Sequence, residues 1–224
     1  MSFHKFKTLA VNEAIMSDSA TITARHSPVR HAIKRALDIM VSVLALPFAL
    51  LISIPVAIGV KLSSPGPLFF TQRRTGYKGR EFTCLKFRSM RVNDESDTTQ
   101  ASNNDPRKTR FGEYLRRTSL DELPQLINVI KGDMSLIGSR PHMVAHTKQY
   151  APVIKDYMSR HEMRPGITGW AQVNGFRGPT NELWMMEKRV EYDLWYVKHW
   201  SLRLDLKIFY RTILIILFGD KNAI

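Results

Sequence analysis

Residues Ile39 to Val60, IMVSVLALPFALLISIPVAIGV, carry no charge, and no other feature restricts the chain so strongly. These 22 residues would span about 33 Å as a straight helix, enough to cross the hydrocarbon core of a bilayer. The run starts too far into the chain, and is too long, for the apolar region of a secretory signal. Three arrangements are open: a re-entrant helix that dips into the membrane and returns, a single spanning helix, and a buried core helix. A spanning helix gathers its basic flank on one side of the membrane. Here Arg25, Arg30, Lys34 and Arg35 precede the run, and Lys61, Arg73, Arg74, Lys78 and Arg80 follow it. Two basic flanks favour two ends on one face. Pro47, near the middle, and Pro55 each remove a backbone donor and permit a kink.

The rest of the chain reads as one domain of ordinary size. Lys and Arg number 33 against 20 Asp and Glu, a formal charge of +13 over 224 residues. Such a surplus invites phosphates, nucleic acid or an anionic membrane face. The apolar fraction, 44%, is too high for a disordered chain. Cys84 is the single cysteine, which excludes an internal disulfide or a Cys-rich zinc module and suits a reducing compartment. No Walker A loop and no GxGxxG is present.

Pattern and turn residues predict an α+β protein: an N-terminal membrane helix, a small β-hairpin, and several helices, some of them amphipathic and interfacial. Residues 1–29 read as a mobile tail, 30–62 as lead-in and membrane helix, 63–218 as the main domain and 219–224 as a C-terminal tail. Ser64-Pro65-Gly66-Pro67 stops the first helix. Leu68–Gln72 and Phe82–Met90 are β-prone and flank a turn at Thr75–Gly79. Residues 93–109 form a long polar loop. Helices are predicted over Phe111–Arg117, Leu123–Lys131 with Gly132 after its end, Pro141–Ser159 with an interruption at Pro152, Glu182–Trp200, and Arg203–Phe218. The last has an apolar face suited either to a membrane surface or to the core. Pro165 opens a loop that runs through Gly178.

The densest cluster of reactive side chains is Leu115–Gln125, LRRTSLDELPQ. Asp121 and Glu122 beside Arg116 and Arg117 suit a place where a metal and a phosphate meet. A carboxylate binds Mg²⁺ or attacks phosphorus, and arginine neutralises phosphate oxygens. The same residues also fit a capping box, with Ser119 as N-cap and Glu122 at N3. Pro124 as first helical residue would instead leave both acids just before the helix. Gly138-Ser139-Arg140-Pro141 is a turn that suits a phosphate or merely the surface. The glycine-rich stretch Arg164–Gly178, with Trp170, Gln172 and Asn174, suits a nucleotide or a tight structural loop. Lys86 and Arg88 alternate with apolar residues on the second strand, which suits either one polar face or mere solvation. His142 and His146, four apart, lack a third metal ligand.

Taken together, KRALDI, the proline-centred apolar run, SPGPLFF, GREFTCLKFRSM, LRRTSLDELPQLINVIKGDMSLIGSRP and RPGITGWAQVNG resemble the bacterial sugar transferases, the monotopic polyprenyl-phosphate phosphoglycosyl transferases. The resemblance covers about residues 30–215 in the family's order. It implies transfer of sugar-1-phosphate, glucose or galactose, from a UDP-sugar to undecaprenyl phosphate, with release of UMP, as the first membrane step of exopolysaccharide or glycan assembly. It implies Asp121 as nucleophile and Mg²⁺ ligand, Glu122 as its assistant, and Lys86, Arg116, Arg140 and Arg177 as phosphate-side cations. Pro47 would break a re-entrant helix. The expected location is the bacterial inner membrane, with residues 63–218 as a catalytic domain on the cytoplasmic face and no nucleic-acid partner; self-association is left open. A form without the further N-terminal membrane helices of larger members is also implied. Ser139 stands where the family usually has proline, which removes a φ restraint from that turn.

Overall fold

The charge-free run lies within one helix, α1, Pro28–Ser63, in a computed structural model that describes residues 27–95, 97–102 and 105–218. The two expected tails therefore fall largely outside the described residues. Pro28 occupies the first turn, where its missing N–H costs nothing, and Pro47 and Pro55 lie inside the helix. Its middle is bare: Leu44, Phe48, Leu50, Leu51 and Ile54 are exposed. Its two ends are not. Lys34 Nζ lies 2.8 Å from Asp205 Oδ2. Arg35 donates to the carbonyls of Val129 and Ile130 at 2.6 and 3.0 Å. Asp38 accepts from Ser135 Oγ at 2.7 Å and from the Leu136 amide at 3.1 Å. At the far end Val56 and Val60 are buried in a cluster with Phe87 and Leu115. So long an apolar stretch left unpacked, between two ends gripped by the same domain, is a membrane-facing element.

The hairpin forms from the two β-prone stretches. Strands β1, Phe69–Thr75, and β2, Glu81–Phe87, pair antiparallel from Phe69↔Phe87 to Thr75↔Glu81. The turn contains Lys78 and Gly79, both at positive φ. Arg88, expected on the same polar face as Lys86, lines a cavity wall but commits its guanidinium to the end of α1. Its guanidinium donates to Ser64, Pro65 and Pro67 and so pins the turn that ends α1.

Helix α2, Arg110–Thr118, is capped by Thr109 through its bond from the Gly112 amide. Helix α3, Gln125–Lys131, ends at Gly132, whose φ of 99° suits glycine. Asn128 on α3 stitches it to β2: its amide donates to Thr83 O at 2.8 Å and its oxygen accepts from Leu85 N at 3.0 Å. That seam fixes the start of α3 beside Lys86.

Two features depart from the sequence reading. Ser135–Ile137, β3, in a stretch given no element, and Gly166–Thr168, β4, in one read as loop, pair parallel. Their crossing is so close that a Cβ on Gly166 would lie 2.1 Å from Gly138 N. The helix expected over Pro141–Ser159 is only α4, Val144–Tyr150. Pro152 cannot continue it, and the chain resumes at Asp156 in a left-handed conformation before a 3₁₀ stretch, Tyr157–Glu162.

After the short α5, Trp170–Val173, come α6, Leu183–His199, and α7, Leu202–Phe218. They pack on the second sheet through Tyr196, Val197, Leu204, Ile208 and Ile137. Asp205, where they meet, accepts from Lys34, the Tyr196 hydroxyl and Trp200 Nε1. Leu206, Phe209, Tyr210, Ile213 and Leu217 of α7 turn outward and are exposed.

Candidate active site

Asp121 and Glu122 sit on a 3₁₀ turn, Leu120–Glu122, between α2 and α3. The capping-box reading is overturned. Ser119 takes a left-handed conformation, φ 61°, and its side chain caps nothing. Its hydroxyl accepts from Arg177 Nη2 at 2.5 Å. The Glu122 side chain likewise turns away from the helix start. It accepts from Lys86 Nζ at 2.5 Å and from Arg140 Nη2 at 3.1 Å. Both acids are buried, 6% and 7% exposed, so their charges are not left to solvent and need cations.

The two carboxylates are unequal. Lys86 Nζ is 3.9 Å from Asp121 Oδ2, and Asp121 has no hydrogen-bond donor among the described residues. Burial pushes the Asp121 carboxyl above its ordinary value; Lys86 pulls it back, while the neighbouring Glu122 charge adds to the rise. Burial alone would do the same to Glu122, but Lys86 and Arg140 outweigh it and hold that group well below the usual carboxylate range. One acid is a committed anion, and its neighbour keeps only the longer contact to Lys86.

Both face a cavity of about 390 Å³ whose walls also include Lys86, Arg116, Arg140 and Arg177. The structure thus gathers Asp121, Glu122, Lys86, Arg116, Arg140 and Arg177, the polar residues that the resemblance marked, around one space. Arg116, on α2, is desolvated there, and the Asp121 charge acts on it. Arg140 and Arg177 arrive on loops after β3 and α5. The Ser139 turn that carries Arg140 is held by backbone bonds: Gly166 N to Ser139 O at 2.9 Å and Gly138 N to Thr168 O at 2.9 Å.

Sequence reasoning missed several cavity-lining cations, Arg74, Arg91, Arg107 and Arg189. Arg74 was recoverable from the hairpin register: Phe70 pairs with Lys86, so Gln72 and Arg74 share the Lys86 face. Arg189 gives no such signal, being one charge on a mixed helix. Trp170, Gln172 and Asn174 do not line the cavity. Trp170 stacks on Trp195 at 5.1 Å between centroids, while Gln172 and Asn174 bond local carbonyls. Among the described residues no third His, Cys, Asp or Glu joins His142 and His146 as a metal ligand; His142 Nδ1 bonds the Tyr157 hydroxyl at 2.6 Å, and burial, then Arg160 and Arg189, push its imidazole far below the usual range.

Fold and site together define an α+β protein, anchored by one long apolar helix, in which a buried carboxylate pair faces a cation-lined cavity. The chain belongs to the bacterial sugar transferase family, whose model matches residues 29–219. Among its relatives, a UDP-glucose:undecaprenyl-phosphate glucose-1-phosphate transferase from Xanthomonas campestris pv. campestris is 55% identical over 83% of this chain and 39% of its own length. A protein of the same description from Escherichia coli (strain K12) is 52% identical over 84% of this chain and 40% of its own. A UDP-N-acetylgalactosamine-undecaprenyl-phosphate N-acetylgalactosaminephosphotransferase from Aeromonas hydrophila is 44% identical over 86% and 45%. The chain therefore spans about two fifths of the length of these relatives.

Proposed function

We propose that this protein transfers a hexose-1-phosphate from a UDP-sugar to undecaprenyl phosphate, releasing UMP. The observation that carries this reading is Asp121: a buried carboxylate with no hydrogen-bond donor among the described residues, at a cavity ringed by Lys86, Arg116, Arg140 and Arg177. A carboxylate so placed is free to attack phosphorus, and the cations offset the charge of the approaching phosphates. In the first step an Asp121 oxygen bonds to the β-phosphorus, and the bond from that phosphorus to the bridging oxygen breaks. UMP leaves with that oxygen. In the second step an oxygen of the lipid phosphate attacks the same phosphorus and frees Asp121. One cavity then serves two bulky substrates in turn.

Glu122 is poorly suited to take a proton, because Lys86 and Arg140 hold it ionised. Its part is to fix those two cations beside Asp121. Among the described residues no group of three His, Cys, Asp or Glu side chains could hold a metal. Asp121 together with substrate phosphate oxygens nevertheless makes the sparse oxygen set that Mg²⁺ takes in phosphoryl-transfer sites, and the ion would supply further charge neutralisation there.

The membrane helix reads best as re-entrant. A straight helix would separate Arg35 from Val60 by about 37 Å. Yet Arg35 binds the carbonyls of Val129 and Ile130, and Leu123 packs on the cluster that buries Val60. Leu123 and Ile130 are about 10 Å apart along a helical rise. Contact points so close support a bend, and Pro47 lies between them. Both ends would then stand on the cytoplasmic face of the inner membrane, with the outward apolar residues of α7 at the interface. The relatives' printed names support a hexose donor, glucose or N-acetylgalactosamine. A panel of UDP-sugars with undecaprenyl phosphate and Mg²⁺, assayed for UMP, tests the reading. Release with one hexose donor supports it, and no release with any contradicts it.

A further inference from the structure

Arg140 and Arg177 stand on different loops, yet both loops are fastened to one helix. On α6, Asp193 is 1% exposed and pairs with Arg160, also 1% exposed. Arg160 Nη2 lies 2.5 Å and Nε 3.1 Å from Asp193 Oδ2. The same Nη2 donates to the backbone carbonyl of Arg140 at 2.7 Å. One turn earlier on α6, Arg189 donates through Nε to Phe176 O at 3.0 Å and through Nη2 to Gly178 O, the residues on either side of Arg177. Residues four apart on a helix face the same side.

We infer that Asp193, acting through Arg160, and Arg189 are positioning residues that set the gap between Arg140 and Arg177, and so the cavity's grip on a diphosphate. This rests on the phosphate-transfer reading of the cavity. Burying an ion pair is poor value for stability alone, since apolar residues of similar volume do as well or better. A helix that spans both loops gives the pair a geometric use: the carbonyl of Arg140 is held by a rigid element, not by its own turn. Misplacement of a phosphate-binding group by about 1 Å is enough to cost on the order of a hundredfold in rate.

The test uses the full chain in detergent or nanodiscs, with UDP binding followed by calorimetry and UMP release by kinetics. Asp193→Asn leaves Arg160 without its anion, so lost folding would be uninformative on its own. The deciding variant is therefore the apolar pair Arg160→Met with Asp193→Leu, which keeps the volume and removes the bond to Arg140. Its melting temperature should match the wild type, while UDP binding weakens about tenfold and kcat/KM falls by about tenfold to a hundredfold. In an Arg140→Ala background the same pair should cost almost nothing more, because the side chain it positions is gone. A stable apolar pair with unchanged UDP binding, or an equal loss with and without Arg140, overturns the inference. Should the wild type release no UMP from any donor, the transfer reading fails while UDP binding still decides the positioning.

Discussion

Lys86 Nζ lies 2.5 Å from Glu122 Oε1 and 3.9 Å from Asp121 Oδ2. Two acids adjacent in sequence thus meet one ammonium unequally. The difference comes from Arg140, which approaches Glu122 at 3.1 Å. Glu122 is clamped between two cations, and Asp121 is left facing the cavity. The account of the site follows from that asymmetry.

Asp121→Asn should abolish UMP release while leaving the protein folded and membrane-bound. A buried anion without donors costs stability, so its neutral isostere should melt at the same temperature or a few degrees higher. Thermal unfolding in detergent alongside the UMP assay checks this. A variant that is both inactive and much less stable would show Asp121 to be structural.

Glu122→Gln should act in the opposite sense on stability. It leaves Lys86 and Arg140 facing a neutral amide, at a cost on the order of 3 kcal/mol, within the range for breaking a buried pair. That corresponds to a melting temperature roughly 6–12 °C lower. Activity should fall as well, since both cations lose their anchor. Pairing the change with Lys86→Met should restore much of the stability but none of the activity.

The pH dependence follows from the opposite shifts. Asp121 must be ionised to attack, and burial raises its value, so activity should fall on acidification at a pH above the ordinary carboxylate range. Glu122 stays ionised throughout. For stability, a raised folded-state value means the folded chain holds the proton more tightly than the unfolded chain. That contribution is complete below the unfolded value and is lost as pH rises through the folded one. The melting-temperature advantage of Asp121→Asn should therefore widen as pH rises from about 4 towards neutrality.

The re-entrant helix predicts a simple labelling result. Arg30 and Lys61 are exposed at opposite ends of α1, and Cys84 is buried. Arg30→Cys and Lys61→Cys should both react with an impermeant thiol reagent from the cytoplasmic side only. Reaction from opposite sides would make α1 a spanning helix.

Much of this architecture could be read from residue patterns. The hairpin follows from the β-prone stretches Leu68–Gln72 and Phe82–Met90 around a glycine-containing turn, and α6 from apolar residues at Leu183, Met186, Val190, Leu194 and Val197. Failures came where tertiary contacts decide. Strands of three residues, Ser135–Ile137 and Gly166–Thr168, are too short to show a period and exist because they pair with each other. Ser119 and Glu122 match a capping box locally, but Arg177, Lys86 and Arg140 outcompete the helix N-terminus for their oxygens. Arg189 could not be singled out, since its use depends on which loops its helix meets.

The most direct test of the central claim is intact-protein and peptide mass spectrometry on enzyme quenched after mixing with UDP-sugar and Mg²⁺, without lipid phosphate. The account requires a hexose-phosphate adduct on the peptide containing Asp121, absent from Asp121→Asn and discharged when undecaprenyl phosphate is added. An active preparation that forms no adduct, or forms it on another side chain, would contradict it.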